Sequence, residues 1–248
     1  MELKRPEPTV EEILAEVERR RAARRAQEAQ RRPFEGWILR AALSIVRHWL
    51  ALLNSLVFLY VAVPFLAPVL METGHPGSAR LIYLAYRPLC HQIPYRSWFL
   101  FGERPFYSME ELLRRGIPPE LLEPFGYVGD ESLGYKVALC QRDTALYGSI
   151  FLAGLAFAFG GRRWRPLSLR AYLLFGVLPI LLDGGIQWVT FAAHLLFPAW
   201  GIPVLESTPL RRVITGALMG SLTVWAVYPR IHQALQESFP EEVRRTQV

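Results

Sequence analysis

Apolar residues in this chain gather into four stretches, 48–70, 144–160, 171–195 and 213–228, with dense charge between them. About 20 apolar residues cross a hydrocarbon core as a helix. The pattern therefore predicts an all-α, polytopic membrane protein built as a four-helix transmembrane bundle. The stretches 144–160 and 213–228 are at the short end for a span. The expected organisation is an N-terminal charged helical arm over 1–47, a four-span domain over 48–228 and a tail over 229–248. Within the domain, 71–143 forms one long connection between the first and second spans.

The arm has a different pattern. Thr9 and Glu12 are spaced as a capping box, in which each side chain satisfies a backbone donor of the first helical turn. From there to Arg32 the chain is Ala, Glu, Arg and Gln, good helix formers, with a thin apolar stripe of Ile13, Leu14 and Val17. The expected element is a solvated cytoplasmic helix; a contact with a membrane-protein partner or with anionic lipid is the sharper alternative. With so charged a start, no secretory leader is expected ahead of the first span.

Arginine placement sets the expected orientation. Residues 19–47 carry nine arginines and two acids, and 161–170 carries Arg162, Arg163, Arg165 and Arg170 with no acid. Basic short flanks mark the cytoplasmic side, so the expected localisation is the cell membrane, multi-pass, with both termini cytoplasmic. The connections 71–143 and 196–212 then lie outside. A fifth span over 79–101 would bring Arg80, Arg87 and Arg96 into the bilayer at about 2.5–3.5 kcal/mol for each central arginine. An interfacial or re-entrant helix, broken at Pro88 and Pro94, is preferred. Ser108 to Glu111 forms a second capping box, with Gly116 closing the helix it opens, and 125–135 reads as loop. The pI near 9.6 follows from the membrane flanks, and no nucleic-acid partner is expected; the partner is the lipid bilayer.

Depth then gathers the unusual polar residues. If the third span enters after Arg170, Asp183 lies roughly 20 Å along it and Gln187 roughly 25 Å, one turn apart on one face. Arg142 and Asp143 open the second span, and Glu206, Ser207, Arg211 and Arg212 precede the fourth. A carboxylate in a span requires a partner; for Asp183 the candidates are Arg142, Arg211 and Arg212. Gly216 and Gly220 provide a small-xxx-small face for close helix packing.

Cys90 and Cys140 are the two cysteines, both expected outside. Three readings stay open: a Cys90–Cys140 disulfide, a site for zinc or another transition metal using Cys90, His91, Cys140 and Asp143, or two unpaired buried thiols. Against the metal, no C-x-x-C or H-x-x-x-H spacing occurs, and neighbouring Cys and His residues do not easily share one ion. The histidines lie at span ends, which argues against a bis-histidine haem within the bundle. No nucleotide loop, nucleophile elbow or zincin pattern is present.

Four motifs, in order, carry a resemblance. They are Cys90-His91-Gln92-Ile93-Pro94-Tyr95-Arg96-Ser97, then Cys140-Gln141-Arg142-Asp143 with Tyr147, then Pro179 to Gln187, then Glu206-Ser207 leading to Arg212 and Thr215-Gly216. Over about 75–228 the chain resembles an uncharacterised family of small prokaryotic integral membrane proteins of unknown function. The resemblance implies a shared site in a membrane protein and supplies no activity. Asp143 stands where many members have a further cysteine, so a zinc site here needs carboxylate oxygen in place of sulfur.

Residues and resemblance together predict an extracytoplasmic-face site. Cys90, His91, Cys140 and Asp143 hold a metal, or the cysteines a disulfide. Gln92, Arg96, Arg142, Asp183, Gln187, Glu206, Arg211 and Arg212 meet an anionic or amphiphilic ligand. A non-catalytic scaffold or assembly subunit, resting on the arm and the glycine face, is the first alternative. An enzyme acting on outer-leaflet lipid, with His91 as acid or base, is the second.

Overall fold

The computed structural model describes residues 10–160 and 162–239, and of 10–15 and 24–35 the backbone alone. The capping box at Thr9 and Glu12, the stripe residues Ile13 and Leu14, and the tail beyond 239 lie outside what is described. The chain is mainly helical. Helix α1 runs Val10–Glu72, with non-helical backbone at His48 (φ −107°, ψ 15°). Its apolar part, Gly36–Glu72, is long and apolar enough to cross a membrane. So is Leu169–Leu196, which is made of α5 (Leu169–Tyr172), a π turn (Leu173–Val177) and α6 (Leu178–Leu196). Between them lies α4 (Gln141–Phe159), and α7 (Pro209–Ser238) closes the described chain.

Helices α4 and α7 pack tightly because α7 presents glycines to its neighbour. A Cβ at Gly220 would stand 2.1 Å from the Leu146 carbonyl oxygen, and one at Gly216 2.5 Å from that of Arg142. Side chains larger than hydrogen would force the backbones apart. A second core lies at the other end of the pair, where Leu50, Phe157, Val224 and Tyr228 are buried together. By contrast, only 6% of the most apolar stretch of Leu169–Leu196 is buried. In water so apolar a helix would not stand exposed; in lipid it needs no cover.

The long connection does not hold a re-entrant helix over 79–101, and the chain is not purely helical. A short helix α2 (Pro76–Tyr86) opens with Pro at its first position and is followed, ahead of Pro88, by a turn. Three strands follow: β1 (Ser97–Leu100), β2 (Gly129–Asp130) and β3 (Gly134–Cys140). They form an antiparallel sheet in the order β1-β3-β2, with Ser97 opposite Cys140 and Phe99 opposite Lys136. The sheet corrects the all-α expectation. Part of 125–135, expected as loop, is its tight hairpin: Asp130 Oδ1 accepts from the Ser132 and Leu133 amides at 2.8 and 2.9 Å. Gly134 takes φ +76° there, with the Leu100 carbonyl oxygen 2.2 Å from any Cβ, so glycine alone fits.

Between β1 and β2, helix α3 (Met109–Arg114) is capped by Ser108, whose hydroxyl accepts from the Glu111 amide at 3.2 Å. Glu111 does not complete the box; its carboxylate pairs with Arg104 at 2.9 Å. Phe99, Tyr107, Leu112, Leu122, Tyr127 and Leu133 close a small core under this cap. A further core of Ala67, Tyr83, Tyr86, Val137 and Leu139 fastens α1, α2 and β3 together. The 71–143 connection is thus a folded unit seated on the ends of the helices.

Candidate functional site

Strand β3 ends at Cys140 and α4 begins at Gln141, so the sheet hands the chain directly to a helix at the cysteine. Cys140 is the helix cap, its sulfur accepting from the Asp143 amide at 3.5 Å. Cys90 comes from the other side, where the chain leaves α2, and its amide donates to the Tyr86 carbonyl at 2.9 Å. Its sulfur accepts from the Cys140 amide at 3.3 Å. The ligand atoms of Cys90, Cys140 and Asp143 all lie within 4.8 Å of one another, and both cysteines carry free thiols. The Cys140 thiol donates to the Cys90 sulfur, which lowers the pKa of Cys90 and raises that of Cys140. Cys90 is therefore the sulfur that ionises first.

Three buried hydrogen bonds hold Cys90 in place. Tyr83 donates its hydroxyl to the Lys136 carbonyl at 2.5 Å, Lys136 donates its ammonium to the Gln92 carbonyl at 2.7 Å, and Gln92 donates its amide to the Tyr83 carbonyl at 2.7 Å. Together they tie α2, the cysteine loop and β3. Gln92 adopts φ +50°, a conformation that side chains rarely take unless surrounding contacts impose it. Lys136 is 1% exposed, and burial pushes its ammonium down to about 7. Sequence inspection missed it; its signal is one lysine between Tyr135 and the apolar run Val137-Ala138-Leu139, where a cation is costly to bury. Gln141, fully buried, was missed as well. Its amide donates to the Ser97 carbonyl at 3.1 Å, and its oxygen accepts from Arg212 at 3.1 Å.

The remaining expected residues form a charged network beside the thiols. Arg142 meets Asp183 at 2.5 Å, and Thr215 donates to the same carboxylate oxygen at 3.4 Å. Of the three candidate partners for Asp183, Arg142 is the one the fold supplies. Gln187 connects this pair to Glu206: it accepts from Arg142 at 3.5 Å and donates to Glu206 at 2.8 Å. Glu206 in turn receives both Arg96 and Arg212. Arg142 and Arg212 each keep a buried Nε that finds no hydrogen-bond acceptor among the described residues. Arg211 is exposed and takes no part in the network described here.

A cavity of about 270 Å³ opens among Cys90, His91, Gln92, Arg96, Cys140, Arg142, Asp143, Gln187 and Arg212. Asp183, Glu206 and Arg211 face a neighbouring cavity that shares Gln187. His91, expected among the metal ligands, does not join the Cys90, Cys140 and Asp143 group. Within this loop Cys90 and Gln92 are buried while His91 between them is exposed.

The donor set suits a thiophilic divalent metal. Around zinc at about 2.0–2.3 Å, tetrahedral donors stand roughly 3.3–3.8 Å apart. The three donors, at most 4.8 Å apart, stand within about 1–1.5 Å of that spacing.

Comparison with known proteins agrees with the membrane character. Residues 132–226, from the sheet hairpin through most of α7, match the family described as "Predicted membrane protein (DUF2085)". Across 78% of this chain and 98% of its own length, the uncharacterized protein MJ1492 of Methanocaldococcus jannaschii is 22% identical. No solved structure matches the chain. The resemblance to an uncharacterised family of membrane proteins therefore holds, and the matched segment includes Cys140, Arg142, Asp143, Asp183, Gln187, Glu206 and Arg212.

Proposed function

We propose that this chain is a four-span membrane protein whose extracytoplasmic face binds a thiophilic divalent metal, zinc foremost, through Cys90, Cys140 and Asp143. The observation that carries this reading is the meeting of those three donors, 50 residues apart in sequence at their widest step, within 4.8 Å. Three protein ligands leave a fourth position for water or ligand, as in catalytic rather than purely structural zinc sites. That position would open into a cavity whose rim holds Arg96, Arg142 and Arg212, groups suited to an anionic ligand. With two thiolates and one carboxylate, the metal centre carries net charge −1, and the nearby Lys136 offsets it.

The topology in this proposal takes α4 and α7 as spans beside the two longer apolar stretches, with both termini cytoplasmic. It is supported by the position of the thiols and network at one end of the helices and of the arginine-rich 162–170 connection at the other. A disulfide between Cys90 and Cys140 is the second reading, favoured by the contact between the two residues. Both are tested on protein purified without chelator or reductant. About one zinc per chain, lost in Cys90→Ser, is expected from the donor count, together with a mass showing free thiols. A metal-free chain lighter by two hydrogens would establish the disulfide instead, and free thiols without metal would overturn both.

A further inference from the structure

Gln187 faces two cavities of different character. On one side is the polar thiol cavity; on the other is a cavity of about 430 Å³ walled by Pro179, Leu182, Ile186 and Leu205, with Asp183, Glu206, Ser207, Arg211 and Thr215 as its polar lining. Pro179, Leu182 and Ile186 are spaced by three and four residues, so they form one strip along α6 about 10 Å long. Because the helix carrying this strip is almost entirely unburied, the cavity is open to the surrounding apolar phase. Its volume lies in the range of small-molecule sites, about 300–1,000 Å³.

Charge is uneven at the junction of the two cavities. Arg96, Arg142, Arg211 and Arg212 line the two cavities against the carboxylates of Asp143, Asp183 and Glu206, an excess of one guanidinium group. Arg211 forms no ion pair among the described residues. An apolar slot ending at a surplus guanidinium group is complementary to an amphiphile with an anionic head. A free phosphate would gain nothing from the four apolar walls, whereas a lipid chain would be covered by them.

We infer that the second cavity is the lateral seat of an anionic phospholipid from the outer leaflet. Its chain lies along the Pro179–Ile186 strip, and its phosphate sits on Arg211 and reaches the Arg142 and Arg212 guanidinium groups past Gln187. The inference rests on the proposed topology and names the ligand class for the same site. Gln187 then marks the passage from the lipid seat to the metal cavity, its amide held by Glu206 and Arg142.

The test uses the full-length protein, delipidated in detergent and read by native mass spectrometry. The probes are phosphatidylglycerol, phosphatidylcholine with the same chains, and inorganic phosphate. Phosphatidylglycerol is expected to be retained about tenfold more tightly than phosphatidylcholine, the scale of one charge-assisted contact. Leu182→Trp, which fills the slot, and Arg211→Gln, which removes the head contact, should each weaken retention about tenfold. Arg163→Gln, in the connection at the other end, should leave it unchanged, and inorganic phosphate should not compete. Equal retention of the two lipids, insensitivity to both variants, or displacement by inorganic phosphate would overturn the inference. Zinc measured on the same samples separates the claims: metal without lipid selectivity refutes this inference alone, and lipid selectivity without metal refutes the metal reading alone.

Discussion

The ion pair between Arg142 and Asp183 joins α4 to the sparsely buried helix α6, and its removal has a calculable consequence. The side chains are 20% and 9% exposed. Changing Asp183 to Asn leaves Arg142 charged with no counter-charge, its acceptors reduced to the neutral amide oxygens at position 183 and of Gln187, the latter at 3.5 Å. Breaking a buried pair from one side costs about 3–5 kcal/mol, and the partial exposure of Arg142 places this case near the lower figure. At about 2–4 °C per kcal/mol for a chain of this size, the midpoint of thermal unfolding should fall by roughly 6–12 °C. The assay is a thermal melt in detergent at neutral pH, followed by circular dichroism. In the double variant Asp183→Asn/Arg142→Gln both charges are gone, so the loss should be smaller than in either single variant. A single variant within about 0.5 kcal/mol of the parent, the size of an ordinary surface change, together with additive losses, would refute the reasoning.

Other outcomes follow from particular contacts. Gly220→Val should separate α4 from α7, because its Cβ has no room against the Leu146 carbonyl and Ser149 hydroxyl, both 2.1 Å away; overpacking of this kind costs about 1–3 kcal/mol and is read as a lowered melting temperature. Lys136 gives a pH signature in chelator-treated protein. Its folded value of about 7 lies below the ordinary 10.5, so the unfolded chain binds more protons between these values and stability rises with pH across that window. Below it the full penalty of the buried ammonium is present. Lys136→Met should flatten the slope; a parent protein whose melting temperature falls from pH 7 to 10 would contradict the assignment. Ser108→Ala should cost about 1 kcal/mol through loss of the α3 cap, seen as faster proteolysis of the 71–143 connection with unchanged metal content.

The helices were legible in the sequence because charge inside an apolar run is conspicuous. The same contrast exposed Asp183, Gln187 and Arg142. The sheet was not legible. Ser97–Leu100 and Gly134–Cys140 are short and lack clean alternation, and each finds its partner about 40 residues away, which local pattern does not encode. For the same reason Lys136 passed as an ordinary residue of a connecting segment, although the fold buries it against Gln92. His91 was drawn into the metal set by its neighbour Cys90, but the fold buries Cys90 and leaves His91 exposed. Gln141 was visible within its motif, but its role depends on Ser97 and Arg212, which only the folded chain brings to it.

Most of the proposal depends on the two sulfurs sharing one metal-bearing pocket on the non-cytoplasmic side. Intact cells or right-side-out vesicles, treated with a chelator and then a membrane-impermeant maleimide, test this directly by peptide mass mapping. The account predicts labelling of Cys90 and Cys140 from outside after chelation, and joint protection of both when zinc is restored. Labelling that requires permeabilised membranes, or zinc that shields neither thiol, would contradict it.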